Sequence, residues 1–420
     1  MLKVESFTLK NCEPHTPRLN ATPFSPLLPQ STLLLFLMEA TPQCTNPTHY
    51  DSFDDSENGT LLPGLPDDLA QRCLSSLSPS LIFSVCHPWR RLLYFPSFPP
   101  FFSLYVLSSP LHGPTTTNPV PGGVDPQNSI EFFSFDPISS SWTPLPTPPQ
   151  NPPLHLLHRH PSFLSRNLPI QSLTVSNHLV LIAATTHKLF PALSSPLVFH
   201  PESNSWFYGP QISTPRRWCV TGSAQGVIYL ASGVGSHYQG DIARSMERWD
   251  LNKKRESWGW ENKAPLKDGR FSREEVVAVG YRGKLCMVNV KGNAVKEGAV
   301  YDVELDKWEE MPQGMVAGWN GPAATMDEDA IYVIHEVKGR LSKYDGEKDC
   351  WEKVIELEQL KRAEQITAGR GKICAISAKG ERIIVVDVRD KPAKFWEVAP
   401  PPGMEVVAVH VLPRMISRQH

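Results

Sequence analysis

One pattern recurs six times between residues 101 and 412: an apolar run ends at an acidic or turn residue, and a tryptophan follows within about ten positions. The six instances are Phe135-Asp136 to Trp142, Phe199-His200 to Trp206, Trp249-Asp250 to Trp258, Tyr301-Asp302 to Trp308, Tyr344-Asp345 to Trp351 and Val386-Asp387 to Trp396. Successive tryptophans lie 64, 52, 50, 43 and 45 residues apart. Ahead of five of them stands a second apolar run, at 179–186, 227–233, 285–290, 331–336 and 373–378, and an earlier one precedes some of these, as at 172–175, 276–279 and 323–326. With the short strand around each tryptophan, every repeat supplies four strands bounded by Gly, Asp, Asn or Pro. Four antiparallel strands at this period make one blade of a β-propeller.

The ring should close with help from the C-terminus. Glu275-Val276-Val277-Ala278-Val279 opens one repeat, and the same residue types return at Glu405-Val406-Val407-Ala408-Val409, beyond the last tryptophan. The first repeat has runs at 101–107 and 130–136 and then Trp142, but no opening strand. The spacing therefore predicts six blades, with a C-terminal strand at 405–411 completing the first and removing the free sheet edges of an open ring. The propeller would span 101–412 and leave a tail at 413–420.

The chain ahead of the repeats divides in two. Residues 1–60 are rich in Pro, Thr, Ser and Asn and carry an acidic patch at Asp51, Asp54, Asp55 and Glu57. Such a composition buries too little apolar surface to order itself, so a disordered leader is expected, with Met38 as an alternative start. Prolines support this division, since 27 of the 41 fall in residues 1–161 and leave little room for long helix there. In 61–100, Leu65, Leu69, Cys73, Leu74 and Leu77 recur at helical spacing behind Pro66, with Asp67 and Asp68 in the first turn, where the helix dipole favours acid. Ser78-Pro79 reads as a cap and first-turn proline, and Ile82, Val85, Trp89 and Leu92 continue the pattern until Pro88 splits it into two short helices. Forty residues with so much apolar surface form too small a core to stand alone, so this unit wants a partner.

Lysine and arginine (41) nearly balance aspartate and glutamate (43), and no basic stripe stands out to neutralise phosphates, so nucleic acid is not an expected partner. The longest apolar runs, 33–38 and 179–184, are far short of a bilayer span, and no membrane association is expected. Eight scattered cysteines never form C-x-x-C, so neither a zinc knuckle nor a redox pair is indicated, and the reducing cytoplasm or nucleus is the expected compartment.

The run Leu62-Pro63-Gly64-Leu65-Pro66-Asp67-Asp68-Leu69, followed by Cys73-Leu74 and by Val85-Cys86-His87-Pro88-Trp89-Arg90-Arg91-Leu92, resembles an F-box. The six repeats resemble kelch repeats, and the combination is similar to the plant F-box/kelch-repeat proteins of the Skp-interacting-partner type. The resemblance implies a mainly β fold, a six-bladed kelch-type propeller preceded by a small all-α F-box. It also implies a non-catalytic role: the F-box docks the Skp-type adaptor of an SCF-type ubiquitin ligase, and through it the cullin, while the propeller binds a protein substrate for ubiquitination. The apolar docking set would be Leu65, Pro66, Leu69, Leu74, Val85 and Trp89. Two features depart from the family pattern. The Gly-Gly doublet expected after each second strand is replaced, for instance by Ala183-Ala184 and Ser377-Ala378, and Pro88 stands at a helical place usually polar or basic.

Candidate contact residues on the propeller follow from topology. In an antiparallel four-stranded blade the start of the first strand and the end of the second share a face, so inter-blade loops and second-to-third-strand loops gather on one rim. Arg166, Arg217 with Trp218, Arg270 with Arg273, Trp319 with Asn320, and Arg362 precede the opening strands, while His237 and Tyr238 follow a second strand. Arginine and aromatic side chains dominate binding hot spots, which makes this rim the expected substrate face and, through its arginines, a candidate reader of acidic or phosphorylated motifs. The repeating tryptophans and aspartates read as structural, wedging blades and capping turns. His155, His158 and His160 share no helix or strand face and have no acidic or Cys neighbour, so no metal is expected, and no cofactor. A propeller oxidase or glycosidase would require a copper-type Tyr/His/Cys cluster or paired carboxylates that these repeats do not assemble. The alternatives that remain are a scaffold or a ligand- or sugar-binding propeller without a role in degradation.

Overall fold

The computed structural model describes residues 61–75, 77, 79–93, 102–111, 129–137, 140–150, 153–154, 170–186, 190–272, 276–289 and 296–415. The expected leader, and the histidines of 155–160, lie outside the described residues.

Three short helices come first: α1 (Asp67–Ser75), α2 (Pro79–Val85) and α3 (His87–Leu92). The break before α3 follows from Pro88, which sits in the first turn of α3 after an extended Cys86 (φ −155°, ψ 167°). Proline is tolerated there because the first-turn N–H groups have no partner inside the helix.

The rest is strand. Blade one takes β1 (Phe102–Pro110), β2 (Glu131–Asp136) and β3 (Ser141–Pro144). Blade two is β4 (Ile170–Val175), β5 (His178–Ala184), β6 (Leu197–His200) and β7 (Ser205–Tyr208). Blade three is β8 (Val220–Ala224), β9 (Val227–Ala231), β10 (Met246–Asp250) and β11 (Glu261–Lys263). Blade four is β12 (Val276–Tyr281), β13 (Lys284–Asn289), β14 (Gly298–Asp302) and β15 (Lys307–Glu310). Blade five is β16 (Ala323–Met326), β17 (Ala330–His335), β18 (Arg340–Asp345) and β19 (Cys350–Glu356). Blade six is β20 (Gln365–Gly369), β21 (Lys372–Ile376), β22 (Ile383–Asp387) and β23 (Lys394–Val398), and β24 (Met404–Pro413) returns to pair with β1. The result is a mainly β, six-bladed propeller whose first blade has the strand order β24-β1-β2-β3. The two Val-Val-Ala-Val runs occupy equivalent innermost strands, β12 and β24. Short, uncharged, mostly β-branched residues suit that place, where six strands converge on the axis.

Six apolar clusters hold the ring, one between each pair of neighbouring blades. The middle strands supply most of them, because they are covered on both faces: six of the seven residues of β5 and all five of β22 are buried. Tryptophan stitches the same interfaces. The indole Nε1 of Trp206 donates to the Pro146 carbonyl at 2.7 Å, Trp308 to Ala264 at 2.8 Å, and Trp351 to Gly314 and Met315 at 3.1 Å. Each acceptor lies just beyond the fourth strand of the preceding blade, so a large ring fills the gap and its polar edge is satisfied. The repeating aspartates cap turns, as expected: Asp302 Oδ1 accepts from the N–H of Glu304 and Leu305, and Asp345 Oδ1 from Glu347 and Lys348.

Two tryptophans depart from the repeat reading. In blade three the residue at the repeating place is Trp260, which donates to the Pro210 carbonyl at 3.1 Å and packs 5.8 Å from Trp249. Trp258 lies two residues earlier in a ten-residue turn, stacked on Phe207 and bonded locally to the Lys253 carbonyl. In blade six the register is moved by one, so that Phe395 faces Val386 and Trp396 faces Val385.

Candidate functional site

Two surfaces stand out, one on the helices and one on the propeller. Within the helical unit the apolar residues divide between inside and outside. Leu74 and Ile82, each 1% exposed, pack with Leu92 and Leu93, and Trp89 is half-buried against them with its Nε1 donating to the Leu61 carbonyl at 2.9 Å. Leu65, Leu69 and Val85 point to solvent at 37%, 44% and 51% exposure. Pro66 is also exposed, and its carbonyl accepts the Ala70 N–H at 2.9 Å. Leu74 is therefore corrected from a docking residue to a core residue, because Ala70 and Leu74 make the inner face of α1 while Leu69 and Cys73 make the outer one. Leu77 and Leu81, both exposed, extend the outer apolar face. Leu81 escaped the sequence reading because it stands beside Ile82, and spacing alone does not say which of two adjacent leucine-type residues faces in.

On the propeller the two faces differ in loop length. One carries tight turns such as 176–177, 225–226, 282–283 and 370–371; the other carries the connections 185–196, 209–219, 232–245, 311–322 and 357–364. Seven large apolar residues of the propeller are exposed among the described residues, and Leu111, Phe190, Tyr208, Tyr238 and Val337 lie at or beyond strand ends on the long-loop face.

The expected rim residues meet different fates. Arg166 and Arg273 lie outside the described residues. Trp319 is corrected: it is fully buried, 6.0 Å from Trp351 in the core between blades four and five, and offers nothing to a partner. It follows the short helix Gln313–Gly318, whose turn drives the ring inward. Asn320 is half-buried, and its carbonyl accepts the Glu336 N–H at 3.1 Å. Arg362 is exposed, with its N–H donating to the Glu336 carbonyl at 2.7 Å. Arg270 is exposed but committed, since its guanidinium is hydrogen-bonded at 2.8 Å to both oxygens of Asp268 and also to Glu297.

On blade three the loop that carries Arg217 and Trp218 is bonded to the loop that carries His237 and Tyr238. Arg217 and Val234 exchange two backbone hydrogen bonds of 2.8 Å, which joins the loop before β8 to the loop after β9. The Arg217 guanidinium lies 4.5 Å over the Trp218 ring, and burial lowers its pKa. Beneath them Arg216 is 2% exposed and paired with Glu247, and it also donates to the carbonyls of Thr214 and Ser232 at 3.2 Å and to Ser245 Oγ at 2.6 Å. Ser213 Oγ donates to the other Glu247 oxygen. The double arginine thus has one member holding the two loops from below and one at the surface.

Beside His237 runs a groove of about 450 Å³, lined among others by Pro191, Leu193, Thr214, Pro215, Gly235 and Ile242. The axial channel, about 280 Å³, is lined by the six inner strands. There His410 is buried, accepting or donating at 3.0 Å to Ser172 Oγ and 3.2 Å to Thr174 Oγ1, and burial pushes its pKa down to about 3. Among the described residues no group of three or more metal-ligating side chains converges.

No family model matches the chain. A curated relative, the F-box/kelch-repeat protein SKIP25 of Arabidopsis thaliana, is 50% identical over 369 residues, covering 86% of this chain and 91% of that protein. Two further Arabidopsis F-box/kelch-repeat proteins are each 24% identical, over 80% and 72% of this chain and 75% and 72% of their own lengths. With half its residues shared along nearly the whole of such a relative, and with six closed blades behind a three-helix unit, this chain belongs to the F-box/kelch-repeat protein family.

Proposed function

We propose that the chain is a non-catalytic substrate receptor of an SCF-type ubiquitin ligase, with the helical unit docking a Skp-type adaptor, and through it the cullin, and the long-loop face of the propeller holding the target protein. The observation that carries this reading is the outer apolar face of the helices. Among the described residues, Leu65, Leu69, Leu77, Leu81 and Val85 are exposed around a core of four buried large side chains. A unit this small loses free energy by showing five apolar side chains to water and regains it by covering them. The family of the relatives supports the same assignment. Catalysis would then be proximity supplied to an active site elsewhere in the complex. The cytoplasm or nucleus, where the chain's cysteines stay reduced, is the proposed compartment.

The test is capture of a purified Skp-type adaptor by the full chain and by Leu69→Ala/Val85→Ala. Capture by the first and not by the second supports the reading. Failure of the parent chain to bind any Skp-type adaptor rejects it and leaves the propeller as a scaffold or ligand-binding domain.

A further inference from the structure

Building on the receptor reading, we infer that the groove between blades two and three holds a short, uncharged segment of the target through an apolar or aromatic side chain, and that this site does not read acidic or phosphorylated motifs. Its walls come from three connections: 190–196 of blade two, 209–219 between the blades, and 232–245 of blade three. Pro191 and Pro215 stiffen the sides, and Leu193 and Ile242, both buried, underlie it. Among the described lining residues there is no Asp, Glu, Lys or Arg. An acidic or phosphorylated segment would find no Lys or Arg there to pair with, whereas an uncharged segment needs none.

Three of the described arginines that make this rim look basic in the sequence are engaged otherwise. Arg216 is buried on Glu247, and Arg270 is shared between Asp268 and Glu297. The Arg217 guanidinium lies over the Trp218 ring, engaged with the indole face. Recognition of phosphate needs several convergent donors without acidic competitors, and these side chains do not supply it. What the rim does expose beside the groove is Phe190, next in sequence to the lining Pro191. Such rings carry large contact area at small entropic cost.

Gly235 gives the site a handle. A Cβ placed there would meet Ile242 Cδ1 at 3.3 Å, Thr214 Cγ2 at 3.6 Å and the His237 carbonyl at 3.7 Å. Its backbone φ is compatible with side chains, so Gly235→Val fills the floor of the groove without forcing the main chain.

The experiment selects short peptides from a random phage-displayed library on the full chain and measures binding of the enriched peptides, made synthetically, by fluorescence anisotropy. The expected peptides are apolar or aromatic and uncharged, bind with little change between about 50 and 500 mM salt, and lose roughly tenfold or more in affinity to Gly235→Val. His237→Ala, a substitution at an exposed side chain that lines the groove, serves as second variant should Gly235→Val not fold, and is expected to weaken the same peptides. Enrichment of acidic or phosphoserine-dependent peptides, equal binding to both variants, or no enrichment overturns the inference. Adaptor capture by the same preparation keeps the two readings apart: a chain that holds the adaptor yet selects acidic peptides rejects the groove assignment and leaves the receptor standing.

Discussion

Trp142 Nε1 donates to the Ala399 carbonyl at 2.9 Å, joining residues 257 apart in sequence and linking the first blade to the last. Four other blades repeat the bond with their predecessors, through Trp206, Trp260, Trp308 and Trp351. At the closure it works beside β24, which pairs with β1 along nearly its whole length from Phe102–Pro413 to Pro110–Met404. Trp142→Phe is expected to lose its hydrogen bond and part of the ring packing against Phe135, at about 1–3 kcal/mol in chemical denaturation. Truncation before Met404 removes the inner strand of blade one and is expected to abolish the cooperative thermal transition.

The Arg216–Glu247 pair should be costly to halve. Both side chains are nearly inaccessible, so Glu247→Gln leaves a buried guanidinium without its counter-charge and is expected to destabilise the propeller by about 3–5 kcal/mol. Replacing both residues, Arg216→Met with Glu247→Leu, should recover most of the loss. Urea midpoints of the two singles and the double decide this; a double no better than the sum of the singles would refute it.

His410 predicts an acid-sensitive component of stability. Its pKa, pushed down by burial to about 3 from an unfolded value near 6.5, means that the unfolded chain binds a proton which the folded chain refuses between those limits. The contribution is fully present above about pH 6.5 and declines by roughly 1 kcal/mol per pH unit as the pH falls toward 3. His178 and His335, also lowered chiefly by burial, act in the same direction and cancel when His410→Gln is compared with its parent. The variant should show a shallower loss of stability from pH 6.5 to 4.5, and identical slopes would rule the effect out.

On the helices, burial separates two kinds of substitution. Leu74→Ala empties a packed site and should cost about 2–5 kcal/mol in the helical unit, read as rapid proteolysis within 61–93. Leu69→Ala and Val85→Ala remove exposed side chains and should shift stability by less than about 0.5 kcal/mol each while weakening adaptor capture roughly tenfold or more. A Leu69 variant that unfolds the unit instead would place that side chain in its core.

The propeller was legible in the sequence because a blade is a local object. Its four strands, their Asp-capped turns and the tryptophan after the third strand lie within about fifty residues, so the period survives in the chain. Even the long-range closure could be read, since the innermost strand of a blade has a distinctive small, apolar pattern that appears at 275–279 and again at 405–409. The sequence alone also marked the helices of 61–100 and the family they resemble. What only the tertiary structure decided was direction. Helical spacing accommodates both Leu69 and Leu74, but packing against Ile82, Leu92 and Leu93 turns one outward and the other in. Loop chemistry treats Arg216, Arg217, Arg270 and Trp319 alike, yet a buried glutamate, a stacked indole, two surface carboxylates and an inter-blade core give them four different roles. Those partners come from segments that are not neighbours of the residue in the chain, and side-chain burial and charge pairing depend on distance in space, which no local pattern encodes.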